Sequence, residues 1–168
     1  MNRGLVHAYY GDGKGKTTAA AGLALRAYGA GYSVLFVQFL KDGRSSEVEV
    51  LRSRLGIPVL AGTVTKHMTF DMTDEEKKLT RILLADIWKS VLDWTRKGTL
   101  CEDGLPEDGE NSQDPKMRET GRLLVLDEVL GAIETGLFPE EKLLAFLDAR
   151  PEDLEVVLTG RNPSLAVI

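Results

Sequence analysis

Cysteine is nearly absent from this sequence: Cys101 is the single one among 168 residues. No internal disulfide can form, and a reducing, cytoplasmic compartment is the expectation. That thiol stands in a polar stretch with no evident partner base and reads as a bystander. Long apolar runs are missing too. None approaches the ~20 residues that a helix needs to cross a bilayer, so no membrane association is expected. Met1 to Val6 lacks the apolar core of a secretory signal. Basic charge is not in excess either, with 21 Lys and Arg against 26 Asp and Glu. The cationic footprint of a nucleic-acid binder is therefore lacking, and no such partner is expected.

What acid excess there is has a local origin. Gly98 to Thr120 carries Glu102, Asp103, Glu107, Asp108, Glu110, Asp114 and Glu119 against only Lys116 and Arg118, which accounts for the whole formal charge of −5. The stretch has Gly, Pro, Asn and Ser but no apolar periodicity, and reads as a solvated, flexible insertion. With no internal repeat and no boundary signal, residues 1–168 are expected to form one domain.

Elsewhere the pattern alternates between short apolar runs and helical periods. Leu5 to Tyr10 reads as a buried strand, and Thr17 to Ala30 as a helix with Ala19, Ala20, Leu23, Ala24 and Ala27 in step. Val34 to Leu40 is a second strand, Glu47 to Leu55 a short helix and Ile57 to Leu60 a third strand. Thr73-Asp74-Glu75-Glu76 is a capping box. The helix it opens is expected to bury Leu79, Ile82, Leu83, Ile87, Val91 and Trp94 on one face, with Trp88 and Trp94 as core or interface residues. Leu123 to Leu126 is a strand ending at Asp127-Glu128, Pro139 opens a helix to Ala149, and Leu154 to Leu158 is a strand followed by Thr159-Gly160-Arg161. This alternation predicts an α/β fold, a mostly parallel sheet flanked by helices.

Between the first strand and helix lies "YYGDGKGKTTAA". Glycines let successive backbone N–H groups converge on one anion, and the helix that follows turns its positive end toward the same anion. Lys16 supplies a mobile charge for phosphate oxygens, and Thr17 a hydroxyl suited to Mg²⁺. The spacing is one residue short of the usual G-x-x-x-x-G-K-[ST] pattern, since Tyr10 stands where the first glycine belongs, and Lys14 is an additional lysine. Asp127 and Glu128 end a later apolar strand, where a magnesium-side acid belongs, and Arg161 follows another strand on the same presumed edge. A nucleoside triphosphate with Mg²⁺ follows from these residues. Which bond breaks does not: an ATPase that uses Glu128 to position water, a nucleotide-dependent switch, a group transferase and an inactive binding module all remain open.

Four stretches, "GDGKGKTTAAAGLALRA", "VLFVQFLK", "LLVLDEVLGAIETGL" and "EVVLTGRNP", together resemble the ATP:corrinoid adenosyltransferases of the cobalamin pathway. The likeness runs in order from about Leu5 to Pro163, apart from the acidic insertion. It implies a P-loop NTPase-like (RecA-like) fold, in which a Co(I) corrinoid attacks C5′ of ATP and expels tripolyphosphate. That chemistry needs charge stabilisation along the whole departing triphosphate, a demand that Lys14 suits. The resemblance implies ATP binding by Gly11, Asp12, Gly13, Lys14, Gly15, Lys16, Thr17, Thr18, Gln38, Lys41 and Arg161. It implies Mg²⁺ (or Mn²⁺) held by Thr17 and Glu128 with Asp127 beside it. No acid–base catalyst is required, because Co(I) is itself the nucleophile. A flavoprotein reductase as partner and a homodimer are further implications.

Two departures from the family pattern stand out. Where the family has an aromatic pair near the corrin, this chain reads His67-Met68-Thr69-Phe70, so Met68 and Phe70 are expected to contact the corrinoid, with His67 structural or solvated. Family members also continue through another helix and strand where this sequence ends at Ile168, so its C-terminal part is expected to be short, with one closing face missing.

Overall fold

The computed structural model describes residues 4–63, 69–98 and 121–167. Five strands form one all-parallel sheet: β1 (Val6–Tyr9), β2 (Ser33–Gln38), β3 (Val59–Ala61), β4 (Arg122–Asp127) and β5 (Leu154–Thr159). Their order across the sheet is β1-β5-β4-β2-β3. The expected α/β class is observed, and all five strand C-termini lie on one edge. Register decides what meets there: Gln38 is level with Asp127, and Tyr9 with Thr159.

Strict alternation splits the apolar residues of the central strands between two layers. Val34 and Phe36, Leu123 and Val125, and Val157 face one side, where they meet α1 (Lys16–Gly29) and α2 (Ser46–Leu55). Leu35 and Val37, Leu124 and Leu126, and Val156 and Leu158 face the other side. There they pack against α3 (Asp74–Lys97), α4 (Val129–Glu134) and α5 (Glu140–Ala149). Trp88 anchors this second layer, its ring 4.9 Å from that of Phe138 and 5.2 Å from that of Phe146, both edge-on. Both tryptophans are buried, as expected.

The expected capping box opens α3: Glu76 N–H donates to Thr73 Oγ1 at 3.2 Å, while Thr73 N–H donates to Glu76 Oε2 at 2.8 Å. The buried stripe of that helix matches expectation at Ile87, Val91 and Trp94 but departs from it in the first turns. Thr80, Leu84, Ile87, Trp88, Val91, Trp94 and Thr95 face inward, whereas Leu79 and Ile82 are about half exposed. Two polar residues sit in the stripe. Thr95 is accommodated because its hydroxyl donates back to Val91 O at 3.0 Å and Leu92 O at 2.8 Å.

Arg122 fastens the far edge of the sheet. Its guanidinium grips Asp153 through two parallel bonds of 3.0 and 2.9 Å and donates to Thr95 O at 2.5 Å. The hydrogen bond from Arg122 holds the Asp153 carboxyl below its ordinary range against the opposing cost of partial burial, with the charge of Arg122 adding to the lowering. A carboxyl that binds its proton less tightly when folded adds stability above its unfolded pKa, near 3.8, and loses that increment as pH falls through the lower folded value. Asp153→Asn is therefore expected to cost a little stability at neutral pH, with the gap to wild type closing below pH 4. Because Asp153 is half exposed, the gap stays under about 1 kcal/mol. Urea titrations at pH 7 and pH 3 measure it, and a gap that widens in acid contradicts the assignment.

Candidate functional site at the carboxyl edge of the sheet

Between β1 and α1 the loop takes positive φ at every second residue: 105° at Gly11, 96° at Gly13 and 103° at Gly15. An added Cβ would meet nothing within 4 Å at any of the three, so glycine is required for the dihedral rather than for space. The turns are tied inward by Lys16, whose ammonium donates to Gly11 O at 2.6 Å and Gly13 O at 2.9 Å. From outside, Gly11 N–H donates to Arg161 O at 2.9 Å, which links the loop to the end of β5. Arg161 thus stands beside the loop, its side chain exposed. Asp12, Lys14 and Thr18 are exposed as well.

Helix α1 starts at this loop and lies against the sheet through Ala20, Ala21 and Ala24, all buried. Small side chains let the helix approach closely, and the approach carries Thr17 onto the end of β4. Thr17 Oγ1 donates to Asp127 Oδ1 at 3.0 Å. Asp127 is fully buried and collects three more donors: Thr159 Oγ1 at 2.7 Å on Oδ1, with Gln38 Nε2 and Lys41 Nζ each at 2.9 Å on Oδ2. Thr17 Oγ1 also lies 3.3 Å from Oδ2, and four donors on two oxygens fill the ordinary acceptor capacity of a carboxylate. Lys41 Nζ also donates to Thr17 Oγ1. Charge and hydrogen bonds together offset the cost of burying this acid.

The expected residues therefore converge, but with different parts. Asp127, rather than Glu128, touches Thr17. Gln38 is fully buried and reaches the site through Asp127, with its Oε1 left without a partner. Glu128 has φ 61°, the one positive φ outside glycine among the described residues. Its N–H is pinned by Thr159 Oγ1 at 2.8 Å, and its carboxylate lies against Gly131, where an added Cβ would come within 3.0 Å of Oε2. Strained backbone of this kind persists where its surroundings fix it, and such positions cluster at functional sites.

Thr159 joins the expected residues at this edge without having been among them. Its hydroxyl bridges the Asp127 carboxylate and the Glu128 backbone. The available signal was positional, because β2, β4 and β5 each end in a polar residue, and all three (Gln38, Asp127 and Thr159) are fully buried. Met68, His67 and the Phe70 side chain lie outside the described residues, as do Cys101 and the acidic stretch 99–120.

Hydroxyl and carboxylate oxygens at Thr17 and Asp127 suit a hard divalent cation. Among the described residues no group of three His, Cys, Asp or Glu is placed to hold a metal. This sparse donor set fits Mg²⁺, which is commonly held by one or two protein oxygens and completed by substrate phosphates.

The next residue after Thr159 guards the arrangement. A Cβ on Gly160 would lie 2.4 Å from Leu130 Cβ and 2.9 Å from Gly131 N, and its φ of 155° disfavours a side chain. Gly160→Ala is expected to push α4 away and disturb the Thr159–Glu128 bond, costing about 1–3 kcal/mol of stability. Chemical denaturation checks this, and a midpoint equal to wild type would show that α4 yields freely.

Comparison with known proteins bears on what the edge is for. The model of the family described as ATP:corrinoid adenosyltransferase BtuR/CobO/CobP matches residues 2–168. A corrinoid adenosyltransferase of Pseudomonas aeruginosa is 30% identical over 166 residues, 99% of this chain and 70% of that protein. The corrinoid adenosyltransferase CobA of Salmonella typhimurium is 28% identical over 160 residues, 95% of this chain and 69% of its own length. The corrinoid adenosyltransferase of Escherichia coli K12 is 27% identical over the same shares. With a match across almost its whole length, this chain belongs to the ATP:corrinoid adenosyltransferase family.

Proposed function

We propose that the protein transfers the 5′-deoxyadenosyl group of ATP to a Co(I) corrinoid. The cobalt lends its electron pair to C5′, forming the Co–C bond and becoming Co(III). The C5′–O5′ bond breaks, and its electrons leave on tripolyphosphate. One observation carries the reading: a glycine loop tied by Lys16 runs straight into Thr17, which is joined to Asp127, so N–H donors, a cation and hard oxygens share one corner.

Such a corner stabilises charge on a departing triphosphate. The loop N–H groups, the α1 N-terminus, Lys14, Lys16 and Arg161 would orient the phosphate chain and hold C5′ in line with the cobalt. Mg²⁺ (or Mn²⁺) would be held by Thr17 and Asp127, with Glu128 close by, and would supply charge neutralisation along the chain. Gln38 supports Asp127, while Met68 and Phe70 would face the corrin. The same reading includes a cytoplasmic homodimer supplied with electrons by a flavoprotein reductase.

The test is anaerobic mixing with Mg-ATP and chemically reduced cob(I)alamin, following the corrinoid spectrum and identifying the phosphate product. Light-sensitive adenosylcobalamin with tripolyphosphate is expected. ADP and phosphate with an unchanged corrinoid would overturn the proposal in favour of an ATPase.

A further inference from the structure

We infer that Lys41 is an exchangeable counter-ion, whose ammonium competes with the divalent cation for Asp127 Oδ2 and Thr17 Oγ1. The inference deepens the metal–nucleotide reading above and rests on it. Lys41 follows β2 and sends its side chain back to the sheet edge, where Nζ meets Asp127 Oδ2 at 2.9 Å and also Thr17 Oγ1. These are the oxygens with which the site would grip a metal.

An ammonium and a divalent cation cannot share a lone pair, and Asp127 has none spare. Of its four donors, Gln38 and Thr159 are fully buried, and Thr17 is fixed at the start of α1. Lys41 alone can retreat easily, since its side chain is 34% exposed on a flexible stem. Loading the metal therefore means releasing Lys41, and the freed ammonium is then at hand for the triphosphate. The carboxylate keeps a cationic partner at every stage, avoiding the large cost of an unpaired buried charge. Metal and nucleotide binding become coupled, because triphosphate offers Lys41 a new partner as it leaves the old one.

Lys41→Met removes the competitor while keeping the length of the stem, and Lys41→Gln serves as a second neutral variant. Binding of Mn²⁺ alone, without nucleotide, is read from the electron spin resonance signal of the free ion. Both variants are expected to bind Mn²⁺ at least about tenfold more tightly than wild type, because a positive charge about 3 Å from the carboxylate has gone. Lys41→Arg, which keeps the charge, is expected to show no such gain. The Mn²⁺-induced rise in melting temperature should follow the same ranking.

Affinity for Mn²⁺ that is unchanged or weaker in both neutral variants would overturn the exchange. Wild-type binding of Mn²⁺ together with ATP tests the underlying reading separately. If that binding is present while the neutral variants gain nothing, only the exchange fails. Its absence removes the metal reading and the exchange together.

Discussion

Asp127→Asn is expected to lower adenosyl transfer at least about a hundredfold and to destabilise the fold by about 1–3 kcal/mol, the cost of disrupting its buried hydrogen bonds. The change is one atom in size, so packing is not the cause. Asp127 accepts from four donors, Thr17, Thr159, Gln38 and Lys41. Asparagine keeps one acceptor and turns an NH₂ group toward two of those partners, each of which must then accept or lose its bond. Placed toward Oδ1, the NH₂ obliges the Thr17 and Thr159 hydroxyls to turn and accept instead of donate. Placed toward Oδ2, it opposes Gln38 and Lys41. The second orientation leaves buried hydrogens facing one another, and the Lys41 charge loses its counter-charge in both. Initial rates of adenosylcorrinoid formation and urea midpoints measure the two effects. A rate within threefold of wild type would show that this hub does not serve the reaction.

The hub shows how far the sequence could be read. Asp127 was legible because a carboxylate after four apolar residues in "LLVLD" marks a strand end. Gln38 and Thr159 carry the same mark, but a single neutral polar residue after an apolar run can equally face water. Register distinguishes the cases: β4 is paired so that Gln38 is level with Asp127, and β5 so that Thr159 stands one strand further on. No local pattern encodes that pairing, since β5 lies between β1 and β4 while following both in the chain.

Helix α3 departs from expectation only in its first turns, at Leu79 and Ile82, for a related reason. Over 24 residues at 3.6 per turn, a stripe through Leu79 and Ile82 and one through Thr80 and Leu84 are both plausible, and the two threonines argued against the true one. Packing of Trp88 against Phe138 and Phe146 accompanies the observed phase. Helix α4 was missed outright. It has six residues, contains Gly131, and follows a residue with positive φ, so neither length nor propensity announces it. The glycine loop, by contrast, was fully local: its dihedrals demand glycine at alternate positions, and the sequence supplies it there.

Lys16→Ala is expected to cut kcat/KM for ATP by about a hundredfold or more, since charge-assisted bonds to phosphate are each worth about 1.5–3 kcal/mol. Two contributions add. The ammonium can serve phosphate oxygens, and it also ties the loop together through Gly11 O and Gly13 O. Lys16→Arg separates them in part: it keeps the charge, but its planar fork does not fit the place from which one ammonium reaches both carbonyls. Lys14→Ala makes the sharper comparison. Lys14 is exposed and makes no hydrogen bond among the described residues, so its removal should leave the urea midpoint unchanged while lowering turnover about tenfold. A lysine that acts on the leaving triphosphate affects kcat, whereas one that only attracts ATP affects KM. Steady-state rates with saturating corrinoid distinguish the two. If Lys16→Ala stays within threefold of wild type in kcat/KM, the loop is not the triphosphate cradle, and the proposed chemistry at this edge fails with it.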